Sequence, residues 1–318
     1  MTPTLDQRLA APIAERFALG DAEALVGPVA RGELGWVWRL TTSEGIWAVK
    51  EPIRPKSEEE AREEADVQDA ARAAGIPVPE VMRTGGGDVL ADLGATQVRV
   101  ASWVEVLERD PLLDPADVGN LITSIHGARL PDLRPEHPWY RDAVGAERWD
   151  ELVHALRAAG APFADGLGAY RDELVALQEL LEPPTALQTC HRDLWADNVR
   201  GTAEGALCVL DWEDFGLADP SQELCLVLFE FGAEVPDRAR TIYRAYMDAG
   251  GPGRVRRRGA FSMLIAQLSH IGEAGCAQWL AADASSPERE HAASWVGEFL
   301  SQPLTWDAIE RLLDAVAV

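Results

Sequence analysis

The chain has 318 residues, a net charge of −24 and an ordinary apolar content of 47%. That length suits one large domain or two packed lobes with ample core, and so acidic a surface cannot replace the counterions of a nucleic-acid backbone, which excludes that partner. No apolar run is long enough to cross a membrane, so no membrane partner is expected. The start, Met1-Thr2-Pro3-Thr4-Leu5-Asp6, lacks the basic and then apolar segments of a signal peptide. Four cysteines (Cys190, Cys208, Cys225, Cys276) show no CxxC spacing. The expectation is a cytoplasmic protein with reduced, mostly buried thiols. The acidity would suit a cationic substrate, but it is spread along the chain in proportion to length, and solubility explains it equally well.

In chain order, Thr4-x-x-Gln7 reads as a capping box opening a short amphipathic helix to about Leu19, packed on the outside of the strands after it. Val26 to Glu51 reads as three strands. The second and third, Trp36–Thr41 and Ile46–Lys50, flank a turn at Ser43-Glu44-Gly45. The first turn is Arg31-Gly32-Glu33-Leu34-Gly35. Ser57-Glu58-Glu59-Glu60 is a second capping box; its helix runs to Ala74 and stops at Gly75, with Pro77 and Pro79 beyond. Val81 to Leu90 reads as a hairpin around Gly85-Gly86-Gly87, and Thr96 to Trp103 alternates as a strand. Asp114 and Pro115 form an N-cap and N1 pair for a helix ending near His126. Residues 130–146, rich in Pro, Asp and aromatics, read as a loop. Further helices are expected at about 146–159, 164–181, 220 onward, 236–248, 255–282, 287–300 and 306–316. The basic run of Arg254, Arg256, Arg257 and Arg258 reads as a solvated helix end.

The chemistry concentrates in Cys190-His191-Arg192-Asp193-Leu194-Trp195-Ala196-Asp197-Asn198. His191, Asp193 and Asn198 are spaced His-x-Asp-x4-Asn. Thirteen residues past Asn198, the apolar run Cys208-Val209-Leu210 ends on Asp211. One carboxylate can orient a hydroxyl and take its proton, while an amide oxygen and a second carboxylate hold magnesium on nucleotide phosphates. Asn occurs only at Asn120 and Asn198, so its arrival five residues after Asp193 is not compositional. Lysine is as rare, occurring only at Lys50 and Lys56. Lys50 ends the third strand.

From about Arg31 to Glu223 these motifs resemble the aminoglycoside phosphotransferase family, the small-molecule branch of the protein-kinase-like fold. The resemblance implies an α+β, two-lobed protein-kinase-like fold: an antiparallel β N-lobe over residues 1–103, which binds the nucleotide, and a mostly helical C-lobe over 104–318. It implies Asp193 as the catalytic residue, Asn198 and Asp211 as ligands of Mg²⁺, and Lys50 as the grip on the α- and β-phosphates of ATP or GTP. A helical carboxylate would steady Lys50. Periodicity leaves Glu63 and Glu64 open, whereas the family's spacing to Pro79 selects Glu64. Gly32 and Gly35 lie where kinases place a flap over the phosphates, although an ordinary hairpin turn explains them as well. The hinge backbone near Ser102 and Val104 would meet the adenine edge. His126 would be a buried packing and hydrogen-bonding residue. His191 would support the catalytic loop together with Glu223, which stands where the family has Asp.

His191-Arg192-Asp193-Leu194 also fits a protein kinase. However, Trp195 replaces the usual Lys, Asp211-Trp212-Glu213 replaces Asp-Phe-Gly, and the short stretch from Asp211 to Asp219 has no room for a peptide-docking segment. The acceptor is therefore expected to be a small hydroxyl compound. An aminoglycoside is the first expectation, with a macrolide or a metabolite such as choline, a sugar or an amino alcohol as alternatives. A nucleotide-binding module without turnover is a further one. Trp195 and Asp197 are candidates for the acceptor pocket, or else core and turn residues. Trp279, Trp295, Phe299, Glu230 and Glu273 are also available, though helical spacing favours core or surface roles for them.

Overall fold

The structure is a computed structural model that describes residues 3–32, 35–94, 96–232, 235–283 and 286–317. The chain forms two compact units. The first comprises Met1–Asp110, Ala128–Leu133 and Ala196–Phe215; the second comprises Pro111–Gly127, Arg134–Trp195 and Gly216–Val318.

The first unit is built on an antiparallel sheet of β1 (Ala22–Arg31), β2 (Gly35–Thr42), β3 (Gly45–Pro52), β4 (Leu90–Asp92) and β5 (Gln97–Ser102), in the order β1-β2-β3-β5-β4. Alternation along β2 sends Trp36, Trp38 and Leu40 inward. They pack with Val49, Val98 and Val100 and with the N-terminal α1 (Ala10–Arg16) through Ile13 and Ala14. The same alternation turns Lys50 and its cross-strand partner Arg99 away from that core. They face α2 (Glu58–Ala73), whose buried side includes Glu64 and Gln68, one turn apart.

The capping box expected at Ser57 is present: its hydroxyl accepts from the Glu60 amide at 3.2 Å, and Glu60 accepts the Ser57 amide at 2.9 Å. The one expected at Thr4 is not. Asp6 caps the first turn instead, accepting from the Arg8 amide at 2.8 Å. Thr4 gives its amide (2.8 Å) and its hydroxyl to Glu51, a 1% exposed carboxylate that also accepts from Trp38 Nε1. A buried charge needs donors more than a helix end does. Gln7 is likewise diverted, accepting from the Leu25 amide at 2.7 Å. The N-terminal helix packs one face, Ala10, Ile13, Ala14 and Phe17, on the sheet and leaves Ala11, Pro12, Glu15 and Arg16 exposed, as its amphipathic pattern predicts.

The second unit is helical: α3 (Pro115–Gly127), α4 (Ala146–Ala158), α5 (Ala164–Gln178), α6 (Pro220–Gly232), α7 (Pro236–Asp248), α8 (Ser262–Ala281), α9 (Pro287–Ser301) and α10 (Trp306–Val316). Asp114 caps α3, accepting from Ala116 and Asp117 amides. The helix expected from 255 begins as a 3₁₀ turn at Arg258–Phe261 before α8. The adjoining arginines are spent on structure: Arg254 donates to the carbonyls of Gly251 and Gly253, Arg257 pairs with Glu182 at 2.8 Å, and Arg258 pairs with Glu310. Trp279 and Phe299 pack in the core of α4, α5, α8 and α9, and Glu273 is held by Arg148 at 2.5 Å. Glu230 is buried on α6, and Trp295 is half-buried on α9. No described helix is long and apolar enough to cross a membrane.

Candidate active site

In the first unit, a two-stranded hairpin positions the candidate metal ligands. Val199–Gly201 pairs antiparallel with Leu207–Val209, and the Leu210 amide donates to the Asn198 carbonyl at 2.8 Å. The twelve residues between Asn198 and Asp211 are thus a closed hairpin that returns the chain to its start. Asp211 comes directly after it, in the left-handed region with φ 53°, which Asp tolerates better than most residues. Its side chain is 38% exposed. An amide oxygen and an accessible carboxylate at one end of a hairpin are the hard oxygen donors that magnesium takes, so these residues fit that ion.

Lys50 Nζ lies 3.0 and 3.3 Å from the two Asp211 oxygens and also bonds Glu213. Burial favours the neutral amine, but Asp211 and Glu213 outweigh it and raise the lysine above its ordinary value. Burial likewise pushes Glu213 up, and Lys50, Lys56 and Arg99 pull it well below the usual carboxylate range. The expected pairing of Lys50 with Glu64 is corrected here. Glu64, only 2% exposed, instead takes Lys56 Nζ at 2.8 and 3.0 Å and Arg99 Nη1 at 3.0 Å. The reason is geometric: Arg99 stands beside Lys50 on the sheet and meets α2 first, while Glu213 comes up beneath Lys50 from the turn after Asp211. Glu63 lies on the less buried side of the same helix.

The β1–β2 turn closes with the Gly32 amide donating to the Gly35 carbonyl at 2.9 Å; Glu33 and Leu34, at its tip, lie outside the described residues. A Cβ on Gly35 would stand 2.7 Å from the Glu51 carbonyl oxygen, so the strand pairing itself demands glycine there. At the candidate hinge, the Ser102 amide donates to the Glu80 carbonyl at 2.8 Å and the Trp103 amide to that of Ile46 at 3.1 Å. Val104 comes next, beyond the strand, and its backbone makes no hydrogen bond among the described residues. Asp197 is exposed and pairs with Arg109 at 3.1 Å.

In the second unit, Gln188–Cys190 pairs with Gly216–Ala218 and leads into the candidate catalytic loop. Arg192 has φ 66° and is 4% exposed; its guanidinium lies 4.5 Å over the Tyr140 ring and donates to the Pro135 carbonyl. A Cβ on Gly216 would sit 2.6 Å from that guanidinium. The Arg192 amide donates to Glu223, so the longer carboxylate does reach the loop. The other Glu223 oxygen meets His126 Nε2 at 2.7 Å, and His126 Nδ1 meets the Tyr246 hydroxyl at 2.8 Å. That hydroxyl accepts the Gly253 amide at 2.7 Å. Burial pushes Glu223 up, and His126 and the Arg192 amide more than offset it, holding the carboxyl below its ordinary value. His191 Nδ1 accepts the Asp193 amide at 3.3 Å. Trp195, like Asp193, is half-buried.

Glu213, Lys56 and Gln267 are among the cluster residues that the sequence motifs do not single out. Glu213 stands out in the sequence only as a departure from Asp-Phe-Gly. Lys56 carries the same signal as Lys50, rarity, but belongs to no motif. Gln267 on α8 donates Nε2 to Asp193 at 3.3 Å and is 2% exposed. Its signal is one amide in the apolar run Met263-Leu264-Ile265-Ala266-Gln267-Leu268.

Comparison with known proteins bears on the fold and the family. Among solved structures, spectinomycin phosphotransferase in complex with ADP and spectinomycin matches with a TM-score of 0.72 and 13% identity, over 98% of this chain and 99% of that one. An amicoumacin kinase in complex with AMP-PNP, Ca²⁺ and its antibiotic matches with a TM-score of 0.60 and 13% identity, over 93% and 94%. Choline kinase from Streptococcus pneumoniae matches with a TM-score of 0.59 and 15% identity, over 93% and 99%. These likenesses establish the kinase-like α+β fold. No curated protein matches at the level of sequence. The model of the phosphotransferase enzyme family matches residues 26–259, about three quarters of the chain, and the chain therefore belongs to that family, the aminoglycoside phosphotransferases and related small-molecule kinases.

Proposed function

We propose that this enzyme transfers the γ-phosphoryl group of ATP or GTP to a hydroxyl of a small molecule, with Mg²⁺ as the required ion. The observation that carries this reading is the hairpin that joins Asn198 to Asp211, with Asp211 set against Lys50: oxygen donors and a cation that suit a magnesium-bound phosphate. Bound magnesium would supply charge neutralisation on the phosphates. Asn198 and Asp211 would hold it, and Lys50 would bind the α- and β-phosphates. Gly32 and Gly35 would lie over them, and the backbone near Ser102 and Val104 would take the adenine edge. Asp193 would align the acceptor hydroxyl and receive its proton late, because a loose transition state leaves the nucleophile little changed until then. His191 and Glu223 would keep Asp193 in place, and Trp195 and Asp197 would border the acceptor.

An aminoglycoside-type antibiotic is the first acceptor in this reading, with a cytoplasmic role in antibiotic resistance. The antibiotics bound by the spectinomycin and amicoumacin enzymes support that order. A macrolide or a hydroxylated metabolite such as choline is the second, supported by the choline kinase likeness. The four buried free cysteines suit a reducing compartment. The test is turnover of labelled ATP and GTP, with and without Mg²⁺, across aminoglycosides, macrolides, choline and amino alcohols, with generic proteins as a separate arm. Labelling of proteins alone would overturn the reading. Tight nucleotide binding with no transfer to any acceptor would favour a non-catalytic module.

A further inference from the structure

Both lysines of the chain converge on one carboxylate. Glu213, its side chain 5% exposed, bonds Lys50 through one oxygen and Lys56 through the other, the latter at 2.8 Å. Lys56 in turn holds both oxygens of Glu64, and Arg99 joins Glu64 to Gln68 at 3.0 and 3.3 Å. The result is an alternating row, Asp211–Lys50–Glu213–Lys56–Glu64–Arg99, of three anions and three cations.

The row is most exposed at Asp211, and its two lysines are equally shielded, each 21% exposed. Asp211 is 38% exposed, whereas Glu213 and Glu64 are buried. A magnesium nucleotide would claim its outer members, the metal taking Asp211 and the phosphates taking Lys50. Glu213 would then have to share Lys50 with phosphate. A buried carboxylate that loses part of its counter-charge is costly. Lys56 removes that difficulty, because it keeps Glu213 paired while Lys50 turns outward. The remaining pairs, Glu213–Lys56 and Glu64–Arg99, are still neutral.

We propose that Lys56 is a positioning residue for nucleotide binding: it holds Glu213 as the carboxylate that steers Lys50, and Glu64 acts on Lys50 only through Lys56. This rests on the kinase reading of the site and goes beyond it, since a helix carboxylate acting directly on the lysine is replaced by a relay through a second lysine.

The test compares Lys56→Met, Lys56→Arg, Glu64→Gln and the double variant Lys56→Met/Glu64→Gln with the parent protein. Lys50→Ala and Asp211→Ala serve as references. Three quantities are read: the Kd of a fluorescent ADP analogue with and without Mg²⁺, KM and kcat for ATP, and Tm. Lys56→Met is expected to weaken nucleotide binding and raise KM about tenfold, an ordinary size for coupling through one intermediate group. Its kcat should change less. Lys56→Arg should restore most of the affinity. Glu64→Gln should weaken binding in the same direction and add nothing in the Lys56→Met background. A lowered Tm with unchanged Kd and KM in both Lys56 variants would reduce Lys56 to a structural staple and overturn the proposal. So would a full Glu64→Gln effect persisting without Lys56. If Lys50→Ala and Asp211→Ala bind nucleotide normally, the reading of the site itself fails, and the proposal with it. If those two lose binding while Lys56→Met does not, only the proposal fails.

Discussion

Each unit carries one polar cluster, and the two are built on opposite plans. The row from Asp211 to Arg99 is ionic, opens to solvent at Asp211, and joins residues that have alternative partners within reach. The chain Arg192 amide–Glu223–His126–Tyr246–Gly253 amide is closed: His126 and Glu223 side chains are fully buried, both His126 nitrogens and both Glu223 oxygens are engaged, and it ends on backbone at each side. The first arrangement can exchange partners when a charged ligand arrives. The second cannot change without leaving a buried group unpaired. The contrast separates a cluster that can exchange partners from one that fixes a loop, and it predicts that substitutions in the first will be read by binding and in the second by stability.

The largest effect should come from Asp193, which follows Arg192, the residue whose amide Glu223 holds. Asp193→Asn keeps the shape and removes the carboxylate proposed to receive the proton. It should lower kcat by roughly a thousandfold, within the usual span for general acid–base groups, with nucleotide Kd and Tm unchanged. Fast turnover in this variant would remove Asp193 from the chemistry. Next come the open ends of the ionic row. Lys50→Ala should cost about a hundredfold in kcat/KM, the scale of one preorganised charge at a reacting phosphate. Asp211→Ala should lose the Mg²⁺-dependence of nucleotide binding together with turnover. In both, Tm should move little, because Asp211 and Lys50 are partly exposed and buried Glu213 keeps Lys56 as a partner. A large fall in Tm would make the row a structural element.

The sequence makes some of this legible and hides the rest for physical reasons. Asp193, Asn198 and Asp211 can be read because a loop and a hairpin keep them within twenty residues, so spacing encodes geometry. Lys50 is legible through its rarity. Its partner is not. Glu63 and Glu64 both sit on helical rows with apolar neighbours, and choosing Glu64 finds the buried face of α2 without finding what that face meets. That depends on Arg99 arriving through strand register and Glu213 through a turn, neither of which leaves a local signal. The capping box at Thr4 fails for a related reason: the pattern is present, but a buried Glu51 in a distant strand claims the donor. At the fold level alternation and caps find most elements, but the hairpin expected over Val81 to Leu90 is absent among the described residues: Val81 makes an isolated bridge to Ala101, and Leu90 begins a strand paired with β5.

The closed chain should answer to stability instead. Glu223→Gln keeps an acceptor for the Arg192 amide but faces His126 with an uncharged group. The expected loss is about 2 kcal/mol, in the range for a buried hydrogen bond to a charged group, read as a lower Tm. The pH dependence is set by the direction of the shift. The folded carboxyl lies below its ordinary value, so its contribution is present in full above the unfolded glutamate pKa of about 4.3 and is lost as the pH falls below that toward the folded value. The parent protein should therefore lose stability more steeply than Glu223→Gln on acidification below about pH 4.3. Parallel curves would mean that the carboxylate is not coupled to folding.

The smallest effect isolates the far end of the chain. Tyr246→Phe removes one oxygen and leaves the ring, which packs edge-on against His126 with centroids 5.6 Å apart. The hydroxyl accepts from the Gly253 amide and bonds His126 Nδ1, so two buried groups lose a partner at once. If the hydroxyl donates to Nδ1, the histidine proton must sit on Nε2, where it points at Glu223; the tyrosine then fixes the tautomer that holds the carboxylate. Water cannot replace an oxygen in a site this closed without moving the ring. The expected cost is about 1 kcal/mol in stability, with kcat reduced only a few-fold because Glu223 still holds the Arg192 amide. The decisive measurement is the ring-nitrogen chemical shifts of His126 in the parent and in Tyr246→Phe. A neutral Nε2–H tautomer in the parent, giving way to a mixture in the variant, is the expected outcome. An unchanged tautomer together with an unchanged Tm would show that the chain ends at His126 and that Tyr246 contributes only its ring.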